Sequence, residues 1–133
     1  MEFLGTARVG RLATADAGGR PLVVPVCYVF DGALVYSAVD AKPKRTRNLR
    51  RLRNLAENPQ VSLVVDEWHE DWTQLRWVIV EGAGRVLESG TEFEGAIDGL
   101  REKYPQYRAM NLARGSGAVI RIEPTRILAW RAG

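Results

Sequence analysis

Apolar and polar residues alternate along most of this chain in short runs broken by turn residues, which is the period of strands. "RVGRLATA" (Arg8 to Ala15) reads as a first strand and "DAGGR" as the turn after it. "PLVVPVCYVF" (Pro21 to Phe30) reads as a second strand, and the hairpin signal Asp31-Gly32 separates it from a third, "ALVYSAV". Pro25 donates no ladder hydrogen bond, so the second strand is expected at an edge or with a bulge. Either would leave backbone groups spare near Val24 to Cys27. "QVSLVVDEW" predicts a further strand, "HEDWTQ" a loop, and Leu75 to Leu87 a long strand in which Gly82 and Gly84 mark a bend or bulge. "AVIRIEP" and "RILAWR" predict two more strands at the end.

Helical spacing interrupts this pattern twice. Leu49, Leu52, Leu55 and Ala56 recur at steps of three and four, with Pro43 suited to the first turn and Pro59 just past the end. On that reading Arg47, Arg50 and Arg51 project from the opposite face. A second helix is expected from Thr91 to Lys103, with acids in its first turn. "YPQYRAMNLARGSG" reads as irregular. The sum is a mainly β chain of six or seven strands with helical insertions, a closed or nearly closed barrel, in one domain over residues 1–133.

Composition narrows the function classes. Formal net charge is only +3, so the basic character is local and a general nucleic-acid footprint is not expected. No apolar run approaches the roughly 20 residues of a membrane span, and no secretory leader opens the chain, so a cytoplasmic protein without membrane contact is expected. The single cysteine, Cys27, excludes an intramolecular disulfide and a cysteine zinc cluster, and it reads as a buried thiol. The single histidine, His69, lies in "DEWHEDW"; it reads as an exposed loop residue among carboxylates, and those acids lack calcium-loop spacing. No metal site and no catalytic triad are expected, and no catalytic residue is assigned.

The charge concentrates instead in "DAKPKRTRNLRRLRN", where Lys42, Lys44, Arg45, Arg47, Arg50, Arg51 and Arg53 make seven of the nineteen lysines and arginines. Lys42, Lys44, Arg45 and Arg47 crowd the helix start, where cations oppose the positive end of the dipole at roughly 0.3–1 kcal/mol each. A phosphate or carboxylate over the free first-turn N–H groups would reverse that cost. The later arginines, Arg50, Arg51 and Arg53, read first as a solvated face. Nucleic-acid recognition would call for base-reading partners and a second basic cluster; only Asn48 and Asn54 are at hand. The many tryptophans and tyrosines could flank a flat heterocycle.

With these residues in place, the order from "RLATADAGGRPLVVPVCYVF" to "NPQVSLVVD" resembles the flavin- and deazaflavin-binding split β-barrel family related to pyridoxamine 5′-phosphate oxidase. The most specific elements are "KPKRTRNL", "RNLAENPQVSL" and "EDW…RWV". The later segments, "EDWTQLRWVIVEGAGRVLE", "KYPQYRAM" and "RILAWR", resemble an actinobacterial branch labelled F420-dependent enzymes.

The resemblance implies an antiparallel split β-barrel and a homodimer with cofactor in clefts between the protomers. It also implies an oxidoreductase acting on a small-molecule substrate, with coenzyme F420 as carrier or, alternatively, FMN. A non-catalytic carrier of either cofactor is the third reading. Carried over, the phosphate would meet Ser37, Lys42, Lys44, Arg45, Thr46 and Arg47, with Arg51 an alternative register for the basic anchor. The ring would lie along Val24, Pro25, Val26 and Cys27, and Trp77 on the facing strand would form a wall. The extra charge of F420 fits the arginines beyond the phosphate, and Tyr104 or Tyr107 is a candidate proton donor.

Overall fold

A computed structural model describes residues 2–39, 45–109 and 117–133, with residues 45–49 described by their backbone. In chain order the elements are α1 (Glu2–Thr6), β1 (Gly10–Ala15), β2 (Pro21–Val26), β3 (Val29–Phe30), β4 (Val35–Val39), α2 (Arg45–Glu57) and β5 (Gln60–Glu67). A short 3-10 turn (Trp72–Gln74) then precedes β6 (Arg76–Leu87), α3 (Thr91–Lys103), α4 (Pro105–Ala109) and β7 (Ala118–Arg131).

The strands form one antiparallel sheet in the order β2-β1-β5-β6-β7-β4-β3. Its two edge strands, β2 and β3, are consecutive in sequence and separated only by Cys27 and Tyr28. A two-residue link spans at most about 11 Å, so the seven strands curl until the edges meet, which is the split β-barrel. The run Pro21 to Phe30, expected as one strand, therefore turns a corner. At that corner Tyr28 is fully buried, and its backbone is satisfied by side chains: its N–H donates to the Tyr104 hydroxyl (3.2 Å), and its carbonyl accepts from Lys103 Nζ (3.0 Å). The edge position expected from Pro25 is what the sheet shows, Pro25 lying opposite Arg11 of β1 alone.

The inward residues of β1, β5 and β6 (Leu12, Val61, Leu63, Val65, Val78, Val80) pack with Ile120 and Ile122 of β7 inside the barrel. Helix α1, which the residue pattern did not announce, inserts Leu4 into this core, and the Tyr28 hydroxyl donates to the Leu4 carbonyl. A second core lies under α3, where Phe93, Ala96, Ile97 and Leu100 cover Tyr36 and Val119.

Two expectations about strands needed correction. "AVIRIEP" and "RILAWR" are one strand of 14 residues, β7. Its register against β6 slips between Glu81 and Gly82, so Thr125 is the extra residue and its hydroxyl donates to the Glu81 carbonyl (3.1 Å). The bulge foreseen at Gly82 is real, but the added residue sits on the neighbouring strand. Gly82 is required there because a Cβ would lie 2.3 Å from the Glu123 carbonyl oxygen. Pro124 is tolerated because β4 pairs only with residues 118–122, leaving that side of β7 an open edge.

Candidate functional site

Helix α2 is fastened by its second half. Leu55 is buried against Gly84, where a Cβ would come within 2.7 Å of it, and Leu52 packs on the barrel core. Asn54 is 3% exposed, and its Nδ2 donates to Thr14 Oγ1 at 3.0 Å, so it is a core residue and not a base reader. Glu57 Oε1 accepts from the Ala17 N–H (2.9 Å), tying the last turn to the β1–β2 turn.

The inner face is partly the one that leucine spacing predicts, with Leu52 and Leu55 turned inward. Ala56 is exposed, and the face turned to the protein carries Arg51, Leu52, Asn54 and Leu55. Arg51 was expected to project outward. It lies one helical turn before Leu55, on the same side, and its Nε is fully buried without a hydrogen-bond partner among the described residues. Burial pulls its pKa below the usual arginine value, opposed by Tyr107 nearby. A guanidinium stays charged in proteins, so this is a desolvated cation with an open donor, a costly arrangement unless an acceptor binds there. Arg50 reaches the Pro21 carbonyl (3.5 Å) and Arg53 is exposed.

The other basic candidates are Arg45, Thr46 and Arg47, on the first backbone turn of α2, and Lys42 and Lys44, which lie outside the described residues. No acid stands in that first turn.

On the strand side, Val24 and Cys27 are half-buried, Val26 is buried and Pro25 is exposed. Ser37 is 1% exposed, and its Oγ donates to the Cys27 carbonyl at 2.8 Å. Ser37 therefore joins β4 to the barrel corner, and one of the backbone acceptors expected to be spare is already engaged. Tyr104 is equally occupied: its hydroxyl accepts from Tyr28 N–H and lies 3.0 Å from the Arg8 carbonyl and 3.1 Å from that of Tyr28. Burial raises its pKa. That clamp does not suit a proton donor.

Trp77 stands elsewhere. It alternates with buried Val78 and Val80 and so faces out of the barrel. There it stacks on Trp130 of β7, with ring centroids 6.2 Å apart and planes at 22°. The two rings border a cavity of about 330 Å³ with Phe3, Arg76 and Arg131. Ser37 lies level with Ile120 and, across β7, with Val86 of β6. Nine residues of strand, roughly 30 Å, separate that level from Trp77. Pro25 is closer, yet β1 and β5 intervene, with Arg11 and Val64 between it and Ile79. A single chain thus brings Val24–Cys27, Ser37 and the corner together and leaves Trp77 apart.

The acidic loop has structural partners. Glu67 Oε2 lies 3.0 Å from His69 Nε2, and its other oxygen accepts from Arg76 Nε; these bonds, that from His69 first, hold the Glu67 carboxyl below its ordinary pKa. Asp71 caps the 3-10 turn through Thr73 N–H (3.0 Å) and Oγ1 (2.7 Å).

Two groups that sequence reasoning passed over stand out. Lys103 stacks on the Tyr28 ring (4.0 Å) at the barrel corner, and burial, aided by the charge of Arg8, lowers its pKa to about 8. Glu92 accepts from the Tyr36 hydroxyl (2.6 Å) and Arg121 Nε (2.7 Å), pinning the start of α3 to β4 and β7. Neither carries a sequence signal, because each depends on neighbours distant along the chain.

Comparison with known proteins agrees with this architecture. The chain is 30% identical over 131 residues to a 5a,11a-dehydrotetracycline/5a,11a-dehydrooxytetracycline reductase of Streptomyces rimosus, covering 98% of this chain and 79% of that one. Among solved structures, an FAD-binding protein of Mesorhizobium loti matches with 26% identity and a TM-score of 0.71, covering 96% of this chain and 87% of that one. The haem storage protein of Vibrio cholerae shares the fold, with a TM-score of 0.78 at 20% identity over 98% of this chain and 92% of that one. The family model described as pyridoxamine 5′-phosphate oxidase matches residues 1–131, and the chain belongs to that family.

Proposed function

We propose that the protein is an oxidoreductase that uses coenzyme F420 for hydride transfer to or from a small organic substrate, as a homodimer with cofactor between the protomers. The observation that carries this reading is the charge order of α2. Cations stand at the positive end of the dipole with no acid in the first turn, and among the described residues the buried Nε of Arg51 has no partner. That arrangement fits an anionic cofactor. F420, with a phosphodiester and a polyglutamate tail, makes fuller use of it than FMN does.

In this reading Lys44, Arg45 and the first-turn N–H groups hold the phosphate, and Arg51 supplies its open Nε–H from below. Arg50 remains for the tail. Ser37 holds the Cys27 carbonyl in place, which fixes the corner against which the ring would lie. Trp77 cannot wall that pocket within its own chain, so the wall comes from a second copy; the outward Trp77–Trp130 stack supports this. When bound, F420 would supply the hydride, and the reduced acceptor takes up one proton to complete the two-electron change. The chain's own tasks are binding, alignment and exclusion of water. The relative that reduces a dehydrotetracycline supports reductive chemistry on a small organic acceptor. The FAD-binding relative supports the alternative of FMN.

The test is to mix the purified protein with reduced F420 and a panel of unsaturated acceptors and follow the coenzyme's oxidation. Protein-dependent turnover is expected. A protein that purifies yellow with a flavin spectrum and ignores F420 supports the FMN reading, and tight F420 binding without turnover supports a carrier.

A further inference from the structure

All four tryptophans of the chain gather at one end of the barrel. Trp68 follows β5, Trp72 opens the 3-10 turn, and Trp77 and Trp130 face each other near the ends of β6 and β7. Trp68 and Trp72 are 62% and 66% exposed and form an edge-to-face pair with centroids 6.3 Å apart. The loop that presents them is internally bonded: Trp68 Nε1 donates to Glu70 Oε1 (3.5 Å) and Asp71 caps the turn. Exposed tryptophans on a pinned loop are the kind of residue that dominates protein interfaces, since little side-chain freedom is lost on burial.

Charge selects the occupant. The loop carries Asp66, Glu67, Glu70 and Asp71. Asp66 pairs with Arg11, Glu67 with Arg76 and His69, and Asp71 feels the His69 charge, whereas Glu70 has no ion pair among the described residues. The outer face of α2 offers the complement in Arg53, which is exposed and makes no ion pair among the described residues; Arg50 beside it is half-buried, reaches the Pro21 carbonyl and faces the charge of Asp16. Within one chain the two surfaces cannot meet. Helix α2 packs at Gly84, and the loop adjoins Arg76, eight residues or roughly 26 Å away along β6.

We propose that the Trp68–Trp72 loop of one protomer docks on the outer face of α2 of a second copy, with Glu70 against Arg53 and the two indoles over the helix. A twofold axis makes this contact twice per dimer. The same docking carries Trp77 toward the helix that holds the phosphate, so the loop clasps the neighbouring cofactor site. This rests on the dimer of the proposed function and specifies its surfaces. The acids disfavour nucleic acid and anionic bilayers as occupants.

The test measures the dimer dissociation constant of the cofactor-free protein by analytical ultracentrifugation. Replacing Trp68 and Trp72 together by Ala is expected to raise it at least about tenfold. Far-UV circular dichroism and the thermal midpoint separate that effect from misfolding. Glu70→Lys and Arg53→Glu are each expected to weaken the dimer, and the two together to restore it. A parent that is monomeric overturns both this clasp and the dimer reading. A parent dimer indifferent to all of these changes overturns the clasp alone, as does loss in the tryptophan variant of binding to neutral phosphatidylcholine vesicles with the dimer intact.

Discussion

Helices α2 and α3 have the same length, 13 residues, and opposite charge order. Helix α3 begins with Glu92 and Glu94 and ends with Arg101 and Lys103, as the dipole favours. Its inner positions, Phe93, Ala96, Ile97 and Leu100, are all apolar and buried. Helix α2 begins with Arg45 and Arg47, ends with Glu57, and turns Arg51 and Asn54 toward the protein. The first helix to be compared, α3, is arranged for stability. The second departs from stability at its start and on its inner face, where an anion would restore the balance.

The largest expected effect lies in α3. Leu100 is fully buried, so Leu100→Ala should cost about 2–5 kcal/mol in urea unfolding, with cofactor affinity of the folded fraction unchanged. Arg51 in α2 should behave in the opposite sense. Arg51→Met removes a desolvated cation, so the unfolding midpoint should hold or rise, while F420 affinity falls roughly ten- to a hundredfold in a fluorescence titration. A variant that loses stability and keeps affinity would erase the contrast between the helices.

Smaller effects appear as pH dependence. The bonds from Tyr36 and then Arg121 hold the Glu92 carboxyl below its ordinary value of 4.5. The resulting stability is complete above that value and is lost as pH falls below it through the lowered pKa. Glu92→Gln should flatten the acid limb of a thermal-midpoint profile. Lys103 contributes a penalty instead, because its charged form is the one the fold disfavours. Its pKa falls from 10.5 to about 8, so between those values the unfolded chain binds the extra proton and stability rises with pH. The difference in midpoint between the parent and Lys103→Met should change across that window and nowhere else.

The contrast also separates what could be read along the chain from what could not. Helix α3 was legible to the residue, because apolar spacing and charge order agree there. In α2 the residue pattern found Leu52 and Leu55 and the end at Glu57. It missed Arg51 and Asn54, since they are polar and periodicity counts apolar positions. Pro25 announced an edge strand, and Gly82 announced a bulge. The corner at Cys27–Tyr28 lay hidden in an unbroken apolar run, and Pro124 made one bulged strand look like two. Helix α1, with Leu4 its one buried residue, is too short for a period to show. The basic half of the site was visible because its charges oppose a local dipole. The distance from Ser37 to Trp77 was not, because strand order sets it.

The account rests on an anion at the start of α2, and equilibrium titration with F420 tests this most directly, comparing the parent with Lys44→Ala/Arg45→Ala at fixed ionic strength. The expected result is at least about a tenfold loss of affinity in the double variant, with its thermal midpoint held or raised because two dipole-opposed cations are gone. Equal affinities in the two proteins would contradict it.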